Sequence, residues 1–275
     1  MNQQNKSLTT NLEEIVNTLA ETGDLPIEIL HKIVFCSILK AGLLLYPASM
    51  QHKQELNKLI QTIPASYRGL VTGKLYLRAL KLIKSFEKMI KDKYRAALLK
   101  EANLQYIQNY LRRSLGKVDK IAVLDCASIP EMVTFAAKFK SLNRHPIILT
   151  EVFLNPIGVT RFLTQQLRIF NQRTALSGYA QLLRETLNAK QHYKTSLIDL
   201  TVHEHGVSIE RFLNSLNMQA LFETIKDLTG LDSILITHDH GYDIVANDYG
   251  LYVIHGYKGE CPINFSKIAL FLAIS

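Results

Sequence analysis

The chain has 275 residues, 47% hydrophobic and 20% charged, a composition that excludes a disordered tail, a repeat array or a mini-protein dependent on staples. Its three cysteines, Cys36, Cys126 and Cys261, lack CxxC spacing; they fit a reducing, cytoplasmic setting and argue against a disulfide framework or a thiolate zinc site. The net charge of +8 is uneven, with 18 Lys+Arg against 9 Asp+Glu in residues 1–117 and 14 against 15 in residues 118–275.

In chain order, the polar opening MNQQNKSLTTN lacks the apolar stretch of a secretory leader. Apolar periodicity then predicts helices over 11–21, 27–46, 52–63, 68–100 and 104–115, punctuated by Gly23-Asp24, Pro47 and Pro64. The apolar run 33–47 is short and contains Lys40, so it reads as a buried helix and not as a membrane span. Within 68–100, Lys74, Arg78, Lys81, Lys88, Lys91 and Arg95 recur at helical spacing and form a basic stripe. Two readings of it stand: a solvated face, or a surface that tracks nucleic-acid phosphates. A membrane-surface helix is a weaker third, because the stripe has no aromatic anchors.

From Lys120 the pattern changes to short apolar runs alternating with helical segments: IAVLD at 121–125, PIILTEVFL at 146–154, SLIDLTV at 196–202, SILITHD at 233–239 and LYVIH at 251–255. Buried parallel strands joined by crossover helices read this way. The expectation is a basic, all-helical domain over 1–116 followed by an α/β layer domain over 117–275.

Histidine carries the chemical signal. Five of nine, His203, His205, His238, His240 and His255, fall within 53 residues, interleaved with Asp199, Glu204, Asp239 and Asp243. Imidazole and carboxylate without cysteine suit zinc, manganese or iron. In open α/β sheets ligands bind beyond the carboxyl ends of the strands. Asp125, Asp199 with His203, Asp239-His240 and His255 all fall at or just after such ends. Asp199-x-x-x-His203 and the adjacent Asp239-His240 suggest a pair of metals, suited to displacement at phosphorus. In NPIGVTRFLTQQL, Thr160 heads a helix expected to run to about Phe170, where a metal-bound hydroxyl becomes a nucleophile. An ordinary N-cap is the competing reading of Thr160, and Ser128 is the competing nucleophile. Arg161 could clamp a phosphate oxygen or simply face solvent. His205 and His238 read as orienting groups, substrate donors or exposed histidines, and Asp243 and Glu260 as groups that orient His240 and His255.

The ordered set Asp125, Thr160, Asp199-x-x-x-His203-x-x-Gly206, Asp239-His240-Gly241 and His255-Gly256 resembles the metal-site pattern of the alkaline phosphatase superfamily, over about residues 120–265. ITHDHGY is similar to that family's TSDHG phrase, and HGYKGECPI to the HGG-x-x-x-E-x-x-x-P tail of its PglZ-like members. His238 stands where the family has Ser, Tyr257 where it has a second glycine, and DCAS where it often has DG or DS. The resemblance implies a three-layer α/β/α alkaline-phosphatase-like core and two divalent metal ions, zinc or manganese. One would be held by Asp125, Thr160, Asp239 and His240, the other by Asp199, His203 and His255. It further implies a phosphoester substrate and a phosphodiesterase or nuclease-like hydrolase acting through phosphothreonine at Thr160. The alternative is a catalytically silent PglZ-like scaffold in a nucleic-acid-associated, defence-type complex with protein partners.

Overall fold

The computed structural model describes residues 3–95, 100–169, 171–202, 206–230 and 232–275. Before Lys120 these residues form α1 (Gln3–Ala20), α2 (Ile27–Leu45), α3 (Met50–Gln61), α4 (Ala65–Thr72), α5 (Lys74–Arg95) and α6 (Leu104–Leu115). The single helix expected over 68–100 is two, because Gly73 leaves helical geometry at φ −112°, ψ −120°. Residues 96–99 of that expectation lie outside the described residues.

The helix α2 is buried on nearly every side, as its continuous apolar run predicts, and packs against α3, α4, α5 and α7. Among the described residues, no helix is long and apolar enough to cross a membrane. In α5, Leu75, Ala79, Leu82, Ile83, Phe86 and Met89 face the core, while Lys74, Lys81, Lys84, Lys88 and Lys91 are exposed. Arg78 departs from the stripe, since its guanidinium donates to the Glu14 carbonyl and lies 3.9 Å from the Glu14 carboxylate. The side chain of Arg95 lies outside the described residues.

The remainder alternates: β1 (Lys120–Leu124), α7 (Ile129–Ser141), β2 (Pro146–Ile148), β3 (Phe153–Leu154), α8 (Arg161–Leu167), α9 (Gln172–Thr186), β4 (Gln191–Thr195), α10 (Leu197–Val202), β5 (Val207–Ser208), α11 (Ile209–Ser215) and α12 (Met218–Thr229). After these come β6 (Ile234–Thr237), β7 (Asp243–Asn247), β8 (Gly250–Ile254), β9 (Ile263–Asn264), β10 (Ile268–Ala269) and β11 (Phe271–Ile274). The main sheet has the order β2-β11-β6-β1-β4. Its β6, β1 and β4 run parallel, whereas β11 is antiparallel to both neighbours, so the sheet is mixed and not wholly parallel. Alternate residues feed opposite faces. Ile121, Val123, Leu235 and Phe271 pack with α6 and α9, and Ala122, Leu124, Ile234, Ile236 and Leu272 pack with α7, α12 and α2.

Three expected strands differ. SLIDLTV is not a strand: the strand is the preceding QHYKT, and 197–202 form α10, whose buried Ile198 and Val202 are four residues apart on one helical face. LYVIH is a strand, but an antiparallel one in a separate sheet of order β5-β8-β7-β9. Helix α3 holds that hairpin: His52 Nε2 donates to the Asn247 carbonyl at 2.8 Å, and the Leu251 N–H donates to Glu55 at 2.9 Å. The expected run 146–154 is divided between β2 in the main sheet and β3, which pairs with β10.

One buried polar knot joins α2, α7 and the segment after β6. Glu131 is fully buried and accepts from His31 Nε2 at 2.6 Å, the Tyr242 hydroxyl at 2.8 Å and the Ser128 N–H at 2.9 Å.

Candidate metal centre

Three neighbouring strands supply the first residues. Asp125 follows β1, and its N–H extends the ladder to the Thr195 carbonyl at 2.8 Å. Its Oδ2 accepts from the Ser196 hydroxyl at 2.9 Å, which leaves Oδ1 facing Thr160 Oγ1 at 3.4 Å and His240 Nε2 at 3.6 Å. Asp239 and His240 follow β6, and both are fully buried. His240 Nδ1 donates to the Gly241 carbonyl at 2.9 Å, so Nε2 is the atom turned to Thr160 Oγ1 at 3.2 Å and to Asp239 Oδ2 at 3.7 Å. A carbonyl partner on one ring nitrogen is what orients a metal-binding imidazole.

Neither oxygen of Asp239 has a donor at hydrogen-bond geometry among the described residues. Burial, reinforced by the Asp125 carboxylate, raises its carboxyl from 3.8 to about 7, although His240 and the Thr160 hydroxyl pull it down. Burial lowers the basicity of His240, but the carboxylates of Asp239 and Asp125 outweigh it, and the net shift is upward. Donor atoms of Asp125, Asp239 and His240 lie within 4.8 Å of one another, as do those of Cys126, Asp199 and His240. Such a set has the donor types of a divalent-cation site, and the buried Asp239 carboxylate, which accepts no hydrogen bond among the described residues, suits coordination.

Asp199 sits in the first turn of α10, still just past the end of β4, and its Oδ1 is 3.6 Å from His255 Nε2. The rings of His240 and His255 are 5.2 Å apart, so the two donor groups adjoin. His255 comes from the small antiparallel sheet and not from a parallel strand of the main one. His203 and His205 lie outside the described residues.

Thr160 has helical dihedrals, φ −55° and ψ −24°, and its side chain makes no cap hydrogen bond. Its hydroxyl is spent on Asp125 and His240 instead, which sets aside the simple N-cap reading. The helix it heads is shorter than expected, ending at Leu167. Asn155, which sequence reasoning missed, holds the loop: its side chain donates to the Val159 and Asp239 carbonyls at 2.9 and 3.2 Å and accepts from the Gly158 N–H at 2.9 Å. Gly158 and Gly256 mesh there at φ 65° and 66°, and a Cβ on Gly158 would stand 3.2 Å from the Gly256 Cα and 2.5 Å from Ser266 Oγ. Ser196 was also missed, because it was read as the first residue of the expected strand 196–202 and not as the residue after QHYKT. Asn155 carried the Asn-Pro turn signal.

Arg161 is exposed and takes part in none of the hydrogen bonds or ion pairs of the cluster described above. Ser128 is fully buried against Gly241, where a Cβ would stand 2.8 Å from its Oγ. His238 is buried and neutral: Nδ1 donates to the His240 carbonyl and Nε2 accepts from the Leu270 N–H, both at 2.9 Å, and burial lowers its basicity to about 3. It therefore fixes the Asp239-His240 turn to the start of β11 and is neither exposed nor a substrate donor. Asp243 does not orient the histidine rings; it accepts from the N–H groups of Ser266 at 2.9 Å and Tyr257 at 3.0 Å and so anchors the loop after His255. Glu260 is exposed.

A cation at Asp239 must displace a proton, which sets a pH dependence. If manganese or zinc binds there, its affinity is expected to fall as pH drops below about 7, approaching about tenfold per pH unit for each proton displaced. Titration calorimetry at pH 5.5 and 8 measures it, and equal affinities at the two pH values would contradict it. In the cation-free chain the linkage is reversed. The raised carboxyl contributes stability in full below its ordinary value of 3.8, and that contribution is lost as pH rises through about 7.

No family model matches the chain, and no curated protein matches it.

Proposed function

We propose that the chain is a divalent-metal-dependent phosphohydrolase of alkaline-phosphatase type, with a three-layer α/β/α core, acting on phosphodiesters. One observation carries the reading: a fully buried carboxylate that accepts no hydrogen bond among the described residues, Asp239, belongs to one of two adjoining donor groups beside a threonine hydroxyl that is not used as a helix cap. Asp125, Asp239 and His240 would hold one cation, and Asp199 and His255 the other. When bound, the pair would lower the pKa of the Thr160 hydroxyl and neutralise charge on the leaving oxygen.

The chain's own residues do the rest. Asp125 Oδ1 accepts the Thr160 hydroxyl and is placed to take its proton. Thr160 Oγ1 attacks phosphorus, the bond to the leaving alcohol breaks, and water then cleaves the phosphothreonine to regenerate the hydroxyl. Ser196 and Asn155 keep Asp125 and the Thr160 loop in register. The exposed lysines of α5 would attract a polyanionic substrate or a nucleic-acid partner, an effect that weakens with salt.

The test is release of 4-nitrophenolate from bis(4-nitrophenyl) phosphate and from 4-nitrophenyl phosphate with added zinc or manganese. Metal-dependent release that is faster for the diester is expected. A chain that binds metal and releases nothing from either ester is a metal-bound scaffold and not a hydrolase.

A further inference from the structure

We propose that Cys126 Sγ is a donor to the cation held by Asp199, making that position a mixed sulfur, nitrogen and oxygen site that selects zinc over manganese. The proposal rests on the reading of this cluster as a divalent-cation site given above, and adds a ligand to it.

Three observations support it. Sγ of Cys126, a carboxylate oxygen of Asp199 and a ring nitrogen of His240 lie within 4.8 Å of one another. Cys126 is fully buried and takes φ 61°, a left-handed backbone that glycine adopts freely and a Cβ disfavours, so a thiol occupies a turn better suited to glycine. Its S–H donates to the Gly241 carbonyl at 3.6 Å, an ordinary length for sulfur, and this bond would break on coordination. Independently, the adjoining donor group, which shares His240, contains the fully buried Asp239, neither oxygen of which accepts a hydrogen bond among the described residues. A buried carboxylate of that kind suits coordination of a cation.

The chemistry is simple coordination. The S–H bond breaks, its proton passes to water, and a sulfur–metal bond forms with no change of oxidation state. Thiolate is a soft donor that favours zinc and disfavours manganese or magnesium. A single sulfur among imidazole and carboxylate donors has no CxxC signature, so the spacing of the three cysteines argued against a thiolate ligand.

Cobalt substitution of the full chain reads the bond directly. Cobalt bound through sulfur gives a near-ultraviolet charge-transfer band, while its visible bands report that cobalt is bound at all. The band is expected in the native chain and in Cys36→Ala/Cys261→Ser, which leaves Cys126 as the sole cysteine. It is expected to be lost in Cys126→Ser, with the visible bands kept. Zinc affinity relative to manganese should fall in Cys126→Ser by at least the ~10-fold that losing an outer partner of a ligand costs. Cobalt bound by the native chain without the band, a band that survives Cys126→Ser, or an unchanged preference for zinc overturns the proposal. Failure of the native chain to bind cobalt overturns it together with the cation reading. A band without phosphodiester hydrolysis supports the sulfur ligand and removes only the hydrolase.

Discussion

Thr160→Ala is expected to reduce kcat for bis(4-nitrophenyl) phosphate by ~10³-fold or more while leaving bound metal unchanged. The size of the effect follows from the geometry. Thr160 Oγ1 stands 3.2 Å from His240 Nε2 and 3.4 Å from Asp125 Oδ1, whereas Ser196 is committed to Asp125 and Ser128 and Ser266 are fully buried, out of reach of a substrate. The substitution should cost little stability, because the side chain caps nothing and is only half-buried. Thr160→Ser keeps the hydroxyl and should retain a measurable fraction of the rate. Trapping phosphate on the native chain but not on Thr160→Ala would identify the intermediate. Equal rates for native and Thr160→Ala, with equal metal content, would eliminate the covalent route.

Glu131→Ala is expected to be the most damaging single change to stability, about 3–5 kcal/mol. Glu131 accepts three hydrogen bonds in a fully buried position, and its removal leaves the His31 imidazole and the Tyr242 hydroxyl buried without their acceptor. A change of that size lowers the thermal midpoint by roughly 10 °C in a chain of this length. Glu131→Gln keeps an acceptor oxygen for one partner and should lose less than half as much. Calorimetry of the three proteins at one pH decides it, and a midpoint within 2 °C of native, roughly 1 kcal/mol or less, for Glu131→Ala would show that the knot contributes nothing net. Tyr242 lies two residues beyond His240, so loosening the knot should also weaken metal binding.

Much of the helical segment was legible because its signals are local: periodic apolar residues and Pro or Gly breaks place α2, α3 and α6 within two residues of their observed ends. Gly73 was the exception, since a single glycine inside a long periodic run is compatible with either a continuous or a broken helix. In the α/β segment IAVLD and SILITHD are strands as read, because continuous burial on both faces leaves an unbroken apolar run. QHYKT was missed for the opposite reason: it is an edge strand, mostly exposed, and carries little apolar signal, so the apolar SLIDLTV beside it was read in its place. The hairpin origin of His255 depended on pairing between DIVAN and GLYVI, a tertiary fact that only the Asn-Asp-Tyr-Gly turn between them foreshadows. The residues with metal-binding chemistry were visible as types. Ser196, Asn155 and Cys126 were not, because their importance comes from what surrounds them and not from what they are.

The order β6-β1-β4 gives the cluster a built-in ruler. Neighbouring strands stand about 4.8 Å apart along the ladder, and Asp239, Asp125 and Asp199 each emerge within four residues of the end of one of them. Three acidic residues are thereby gathered at one edge of the sheet, with donor atoms of Asp239 and Asp125 within 4.8 Å of each other. Exchange of one acidic group should therefore leave the strands that carry the other two where the ladder sets them, while the protonation of its neighbours shifts, because Asp125 raises the carboxyl of Asp239.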